Sequence, residues 1–142
     1  MVQLNGGETV LVIDKMSRKP IYEQIVEGIE REIVTGLIRE TEQLPSIREL
    51  SAILGTNPNT IQKAFLDLDR AGVIVSTPGR GCFVAEGARE RIRTRLAAKV
   101  HQIGEMASEL AYAGIDVESV IAAVRGAYEA HAQEIGRKEE RK

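Results

Sequence analysis

Apolar side chains recur at helical spacing in five stretches of the chain and cluster in strand-like runs in between. Pro20 opens the first stretch, with Ile21, Ile25, Ile29 and Ile33 on one face, widened by Tyr22 and Val26, and an end near Gly36. This pattern predicts a helix packed into a core, its acidic residues forming a solvated face. A second, shorter stripe, Ile47, Leu50, Ile53 and Leu54, is preceded by Ser46 and Glu49 in capping-box spacing and followed by Gly55. A third helix starts almost at once. Asn57 is a good N-cap and Pro58 suits the first helical position, where its missing N–H leaves no bond unmade. Ile61, Ala64, Phe65, Leu68 and Ala71 form its inner face, Asn59, Thr60, Gln62, Lys63 and Asp67 its outer face, and Gly72 its stop.

The period then changes. Residues 73–76 and 82–84 read as two short strands around the turn signal Thr77, Pro78, Gly79, Arg80, Gly81. Residues 9–14 (TVLVID) read as an edge strand, 37–44 as a loop and 1–8 as an irregular, flexible start. Three helices followed by a hairpin is the order of a winged helix-turn-helix, placed at residues 9–86. The predicted fold class is mainly α with a small β-hairpin, followed by a two-helix region for dimerisation at 87–136 and a flexible, charged end at 137–142.

In that last region Ile92, Leu96, Val100, Ile103, Ala107 and Leu110 are spaced close to a heptad seam, and Gly114 ends the helix. Asp116 caps a final helix, with Ile115 and Val120 as a staple across the cap and Val117, Ile121, Val124 and Tyr128 completing its stripe. Two such helices cannot bury both stripes well by themselves and need either the winged domain or a second copy of themselves. A two-fold homodimer is the commonest solution, with Ile92, Leu96, Val100, Ile103, Leu110, Val120, Val124 and Tyr128 as its contacts.

Charge and composition narrow the chemistry. Net charge is −2, from 19 Lys plus Arg against 21 Asp plus Glu, so any nucleic-acid role must rest on where the basic residues lie. Cys82 is the single cysteine, which rules out an intrachain disulfide and a cysteine-rich zinc site. His101 and His131 are the only histidines and lie far apart, so no catalytic constellation, metal site or cofactor is expected. No apolar run reaches the ~20 residues of a membrane span, and the start lacks a signal-peptide pattern, which predicts a cytoplasmic protein.

A helix whose exposed end carries Asn, Thr, Gln and Lys suits the DNA major groove, where amides can bond base edges. Arg80 between two glycines suits a phosphate or the minor groove. A winged-helix module that binds protein is the rival reading, supported by the balanced charge. Such a face would more often carry exposed aromatics, and none is predicted there.

Taken together, Gly36, the run Leu44, Pro45, Ser46, Ile47, Arg48, Glu49, Leu50, then 57–64, Gly72 and 79–84 resemble the GntR family of bacterial transcription regulators, over roughly residues 20–84. The Asn-Pro-Asn-Thr start at Asn57 and the two-helix tail look like its YtrA-type subfamily. The resemblance implies a dimeric regulator, often a repressor, that binds a palindromic double-stranded DNA operator. It implies DNA contacts at Arg48, Asn57, Asn59, Thr60, Gly79 and Arg80, and the residues themselves add Ser46, Gln62, Lys63 and Gly81 to the expected DNA-contacting set. Many members have arginines where this chain has Pro58 and Gln62, and Gln62 suits an adenine edge. Other branches carry large effector or aminotransferase-like domains, which the 56 residues from 87 to 142 cannot hold. A small-molecule effector in a dimer groove stays open, without identifiable chemistry.

Overall fold

The computed structural model describes residues 2–4, 7–9 and 11–140, with side chains described from 11 to 133. Two strands, β1 (Val2–Leu4) and β2 (Gly7–Thr9), pair antiparallel where an irregular start was expected. Positions 1, 5, 6 and 10 lie outside the described residues. Of the strand expected over 9–14, Thr9 belongs to β2 and residues 11–14 form no strand. Leu11 instead points into the core at α1 (Ile21–Thr35), where a Cβ on Gly28 would lie 2.1 Å from the Leu11 Cδ1. The Gln24 amide then takes both backbone groups of Asp14, accepting from its N–H and donating to its carbonyl, each at 2.9 Å. A side chain of α1 thus does for this segment what a neighbouring strand would have done.

Helix α1 buries Ile25, Ile29 and Ile33 against α3 (Pro58–Arg70), with α2 (Ile47–Leu54) packed across α3. Its acidic residues do not all face solvent as expected. Glu30 and Glu32 are buried, and the Arg95 Nη2 donates to Glu30 Oε2 at 2.5 Å. The guanidinium offsets part of the cost of taking that carboxylate out of water. On α3 the expected inner face holds for Ile61, Ala64, Phe65 and Leu68, whereas Ala71 is the exposed C-cap.

After α3, β3 (Ile74–Thr77) and β4 (Gly81–Val84) form the antiparallel hairpin, with Val75 opposite Phe83. The stretch expected as a plain loop adds a third rung to it. Thr41 and Leu44 donate to the Val84 and Cys82 carbonyls at 2.9 and 2.8 Å, and Val84 donates back to Glu42 at 2.9 Å. Ile38 and Leu44, at the two ends of that stretch, are both buried.

Helix α4 (Ala88–Ala97) belongs to the winged domain. The Glu40 carboxylate caps its start, accepting from Gly87 N at 2.9 Å and Arg89 N at 3.2 Å. Arg91 Nη1 donates to the carbonyls of Gly72 at 3.1 Å and Glu86 at 2.7 Å. Ala88 and Ile92 lie fully in the core. The first compact unit therefore runs to Leu96, ten residues past the expected boundary at 86, and Ile92 packs inside the winged domain and not in a dimer seam.

The second unit, residues 97–142, holds α5 (Lys99–Tyr112) and α6 (Val117–Glu140), which pack on each other. A turn at Ala98 interrupts the helix expected to run unbroken to Gly114. Ser119 N and Oγ both donate to the Asp116 carboxylate, at 3.0 and 2.6 Å, which is the expected cap of α6. That helix continues to Glu140, past the point where a flexible tail was expected, and 141–142 lie outside the described residues. Among the described residues, no helix is long and apolar enough to cross a membrane.

Candidate nucleic-acid interface

Local chemistry sets the corner between α2 and α3. Ser46 Oγ accepts from Glu49 N at 3.2 Å while Glu49 Oε2 accepts from Ser46 N at 2.7 Å, closing the capping box. These bonds, the backbone one first, hold the Glu49 carboxyl below its usual range. Gly55, at φ 58°, ends α2 in the left-handed conformation that a glycine adopts without steric penalty. Thr56 is buried, and Ser51 Oγ donates to its carbonyl at 2.6 Å. This lock on the corner was not read from the sequence, since a serine five residues before a threonine carries no distinctive signal. Asn57 Oδ1 then accepts from Asn59 N at 2.9 Å and starts α3.

The caps leave a defined set of groups facing out. Ser46 and Asn57 each have the side-chain oxygen accepting one bond at a helix start and keep a free donor, the hydroxyl hydrogen and the amide NH2. Asn59 and Gln62 are exposed on the outer face of α3, with Thr60 half-buried beside them. Arg48 is exposed in the first turn of α2. Lys63 is also exposed, but its ammonium lies over the Tyr22 ring, 3.7 Å from the centroid.

At the hairpin tip Arg80 N donates to Thr77 O at 3.0 Å, with Pro78 and Gly79 (φ 73°) as the central residues of a type II pattern. Arg80 and its two glycine neighbours are all exposed. Gln43 Nε2 donates to the Arg80 carbonyl at 2.9 Å, a contact across 37 positions that no local pattern signals. Cys82, half-buried in β4, lies with its Sγ 3.4 Å from Ser76 Oγ. Among the described residues no group of three or more His, Cys, Asp or Glu could hold a metal ion.

The winged domain thus carries all ten expected DNA residues on α2, the α2–α3 corner, α3 and the hairpin tip, with Thr60 alone half-buried among them. The remaining seam residues, Leu96 at the end of the first unit and the others in the second, are likewise uncovered in the single chain. Leu96, Val100, Ile103, Leu110, Val124 and Tyr128 are exposed, Val100 at 68% and Tyr128 at 77%, and Val120 is half-buried.

The model of bacterial regulatory proteins of the gntR family matches residues 21–84. The chain is 33% identical over 112 residues to the HTH-type transcriptional repressor YtrA of Bacillus subtilis (strain 168), a match covering 78% of this chain and 86% of that protein. Among solved structures, a transcriptional antiterminator from Listeria monocytogenes EGD-e superposes with a TM-score of 0.66 at 34% identity, over 84% of this chain and 90% of that one. A GntR family transcriptional regulator from Listeria monocytogenes gives 0.63 at 35% identity, over 80% and 98%.

Proposed function

The chain belongs to the gntR family of bacterial regulatory proteins, as a DNA-binding transcription regulator of YtrA type, and from that premise we propose that it acts as a homodimeric repressor on a palindromic operator. In this reading α3 enters the major groove. Asn59 and Gln62 address base edges, Thr60, Lys63 and the free donors of Ser46 and Asn57 meet the backbone, and Arg48 and Arg80 grip phosphates from either side. Gly79 and Gly81 let the wing's backbone approach closely.

The observation that carries the reading is the division of α3. Its inner face is consumed by the core, while its outer face presents amides free of side-chain partners among the described residues and no exposed aromatic. Amides reading bases, with guanidinium groups outside the recognition helix supplying charge, reconcile DNA binding with a net charge of −2. Dimerisation is supported by the uncovered apolar positions of α5 and α6, and a cytoplasmic site of action by the location of bacterial DNA. Repression is supported by the described activity of the Bacillus relative.

The test is selection from a pool of random-sequence duplex DNA by the full-length chain. The expected result is an inverted repeat whose half-sites are separated by a whole number of helical turns, about 10.5 base pairs each. Enrichment of a lone half-site would overturn the dimeric reading.

A further inference from the structure

Gln43 lies outside every helix and outside the hairpin, yet it links the wing tip that carries Arg80 to the segment leading into the helix that carries Arg48. Its backbone runs in the segment that pairs with β4, bridged to Phe83, and the next residue donates to the Cys82 carbonyl at 2.8 Å. That same segment leads directly into Ser46, the N-cap of α2, and then Arg48. The Gln43 side chain reaches the other way, to the Arg80 carbonyl at 2.9 Å. A Cβ on Gly81 would sit 2.8 Å from Gln43 Nε2 and would displace that amide, and the Gly81 φ of 110° is one that favours glycine.

The strands of the wing are four residues each, and a two-stranded hairpin is only marginally stable by itself. Its tip is the part least restrained by the core. At that tip the Arg80 peptide is held on both sides, its N–H by Thr77 O and its carbonyl by Gln43. We propose that Gln43 is the positioning residue of the wing. It fixes the Arg80 peptide against the segment that leads into α2 and Arg48, so that the two arginines meet DNA phosphates at a set separation. A tip ordered before binding loses less conformational freedom when the complex forms. The inference rests on the assignment of Arg80 to DNA.

Gln43→Met tests it, because it preserves length and removes the donor. The full-length protein is titrated with the duplex that the wild type enriches from the random pool. The variant is expected to bind between about twofold and tenfold more weakly, the range of one hydrogen bond's net contribution. In an Arg80→Ala background the same change should have no further effect, and the amide order parameters of Gly79 and Gly81 should fall in Gln43→Met. Unchanged affinity with Arg80 present, or a loss that adds in full to that of Arg80→Ala, overturns the inference. If instead Arg80→Ala itself binds like wild type, the DNA assignment of Arg80 is what fails. The order parameters then decide whether Gln43 holds the tip at all, and unchanged values refute it.

Discussion

The Lys63 ammonium sits 3.7 Å from the centre of the Tyr22 ring, so a residue on the outer side of α3 is held by the first turn of α1. A cation over a tyrosine face is worth about 0.5–1 kcal/mol at an exposed site. A double-mutant cycle with Tyr22→Leu and Lys63→Ala, followed by urea unfolding, should return a coupling of that size. Tyr22→Phe should preserve it, since the ring and not the hydroxyl carries the attraction. Strict additivity would mean that the two side chains are neighbours without an energetic tie.

Arg48 and Arg80 are separated by 32 positions and reach solvent from different elements. As phosphate contacts, each should release about one counterion on binding. Arg48→Ala and Arg80→Ala are each expected to weaken operator binding and to lower the log–log salt slope by about 0.9. A variant that binds as tightly as wild type at every salt concentration would remove that arginine from the interface.

Gln62 should behave differently. It is exposed on the outer face of α3, and an amide there can pair with an adenine edge. Gln62→Ala should relax preference at one base pair per half-site by roughly 1–3 kcal/mol, with the salt slope unchanged. Equal losses over all sequences would show that Gln62 places the helix without reading a base.

Two truncations separate stability from assembly. A chain ending at Glu86 loses Ala88, Ile92 and the Arg95–Glu30 ion pair, and leaves the Glu30 carboxylate buried without Arg95. Losing Ile92 alone corresponds to a core truncation of about 2–5 kcal/mol. That chain should be markedly destabilised in urea unfolding, whereas one ending at Leu96 should stay folded, sediment as a monomer and bind the full operator weakly. A dimer from the Leu96 truncation would move the self-association surface into the winged domain.

Glu40 and Glu49 predict an acid limb. Hydrogen bonds from the Gly87 and Arg89 amides hold the Glu40 carboxyl below the usual 4.5, and those from Ser46 do the same for Glu49. A depressed folded value means that the contribution is complete above about pH 4.5 and disappears as pH falls through the folded value. In Glu40→Gln, stability measured from about pH 5 to about pH 3 should fall less steeply than in wild type. An identical acid limb would show that the α4 cap contributes nothing titratable.

Much of this protein is local and therefore legible in the sequence. The capping box at Ser46, the Asn57 cap with Pro58 behind it, the glycine at 55 and the turn at 77–81 each arise from bonds within a few residues, so adjacent residue types suffice to place them. The inner face of α3 follows from helical period alone, as does the polar set opposite it.

What only the tertiary structure decided depends on partners far apart in the chain. Residues 11–14 are β-branched enough to be a strand, but Leu11 finds the bare backbone of Gly28 and Gln24 bonds Asp14, so packing overrides propensity. Ile92 fits a heptad seam by spacing, yet the periodicity of a helix says nothing about which surface it meets, and the core of the winged domain takes it. Glu40 at the start of α4 and Gln43 at the wing tip act across 47 and 37 positions. Sequence determined which groups the recognition surface offers. The long-range contacts determined how firmly, and at what spacing, they are held.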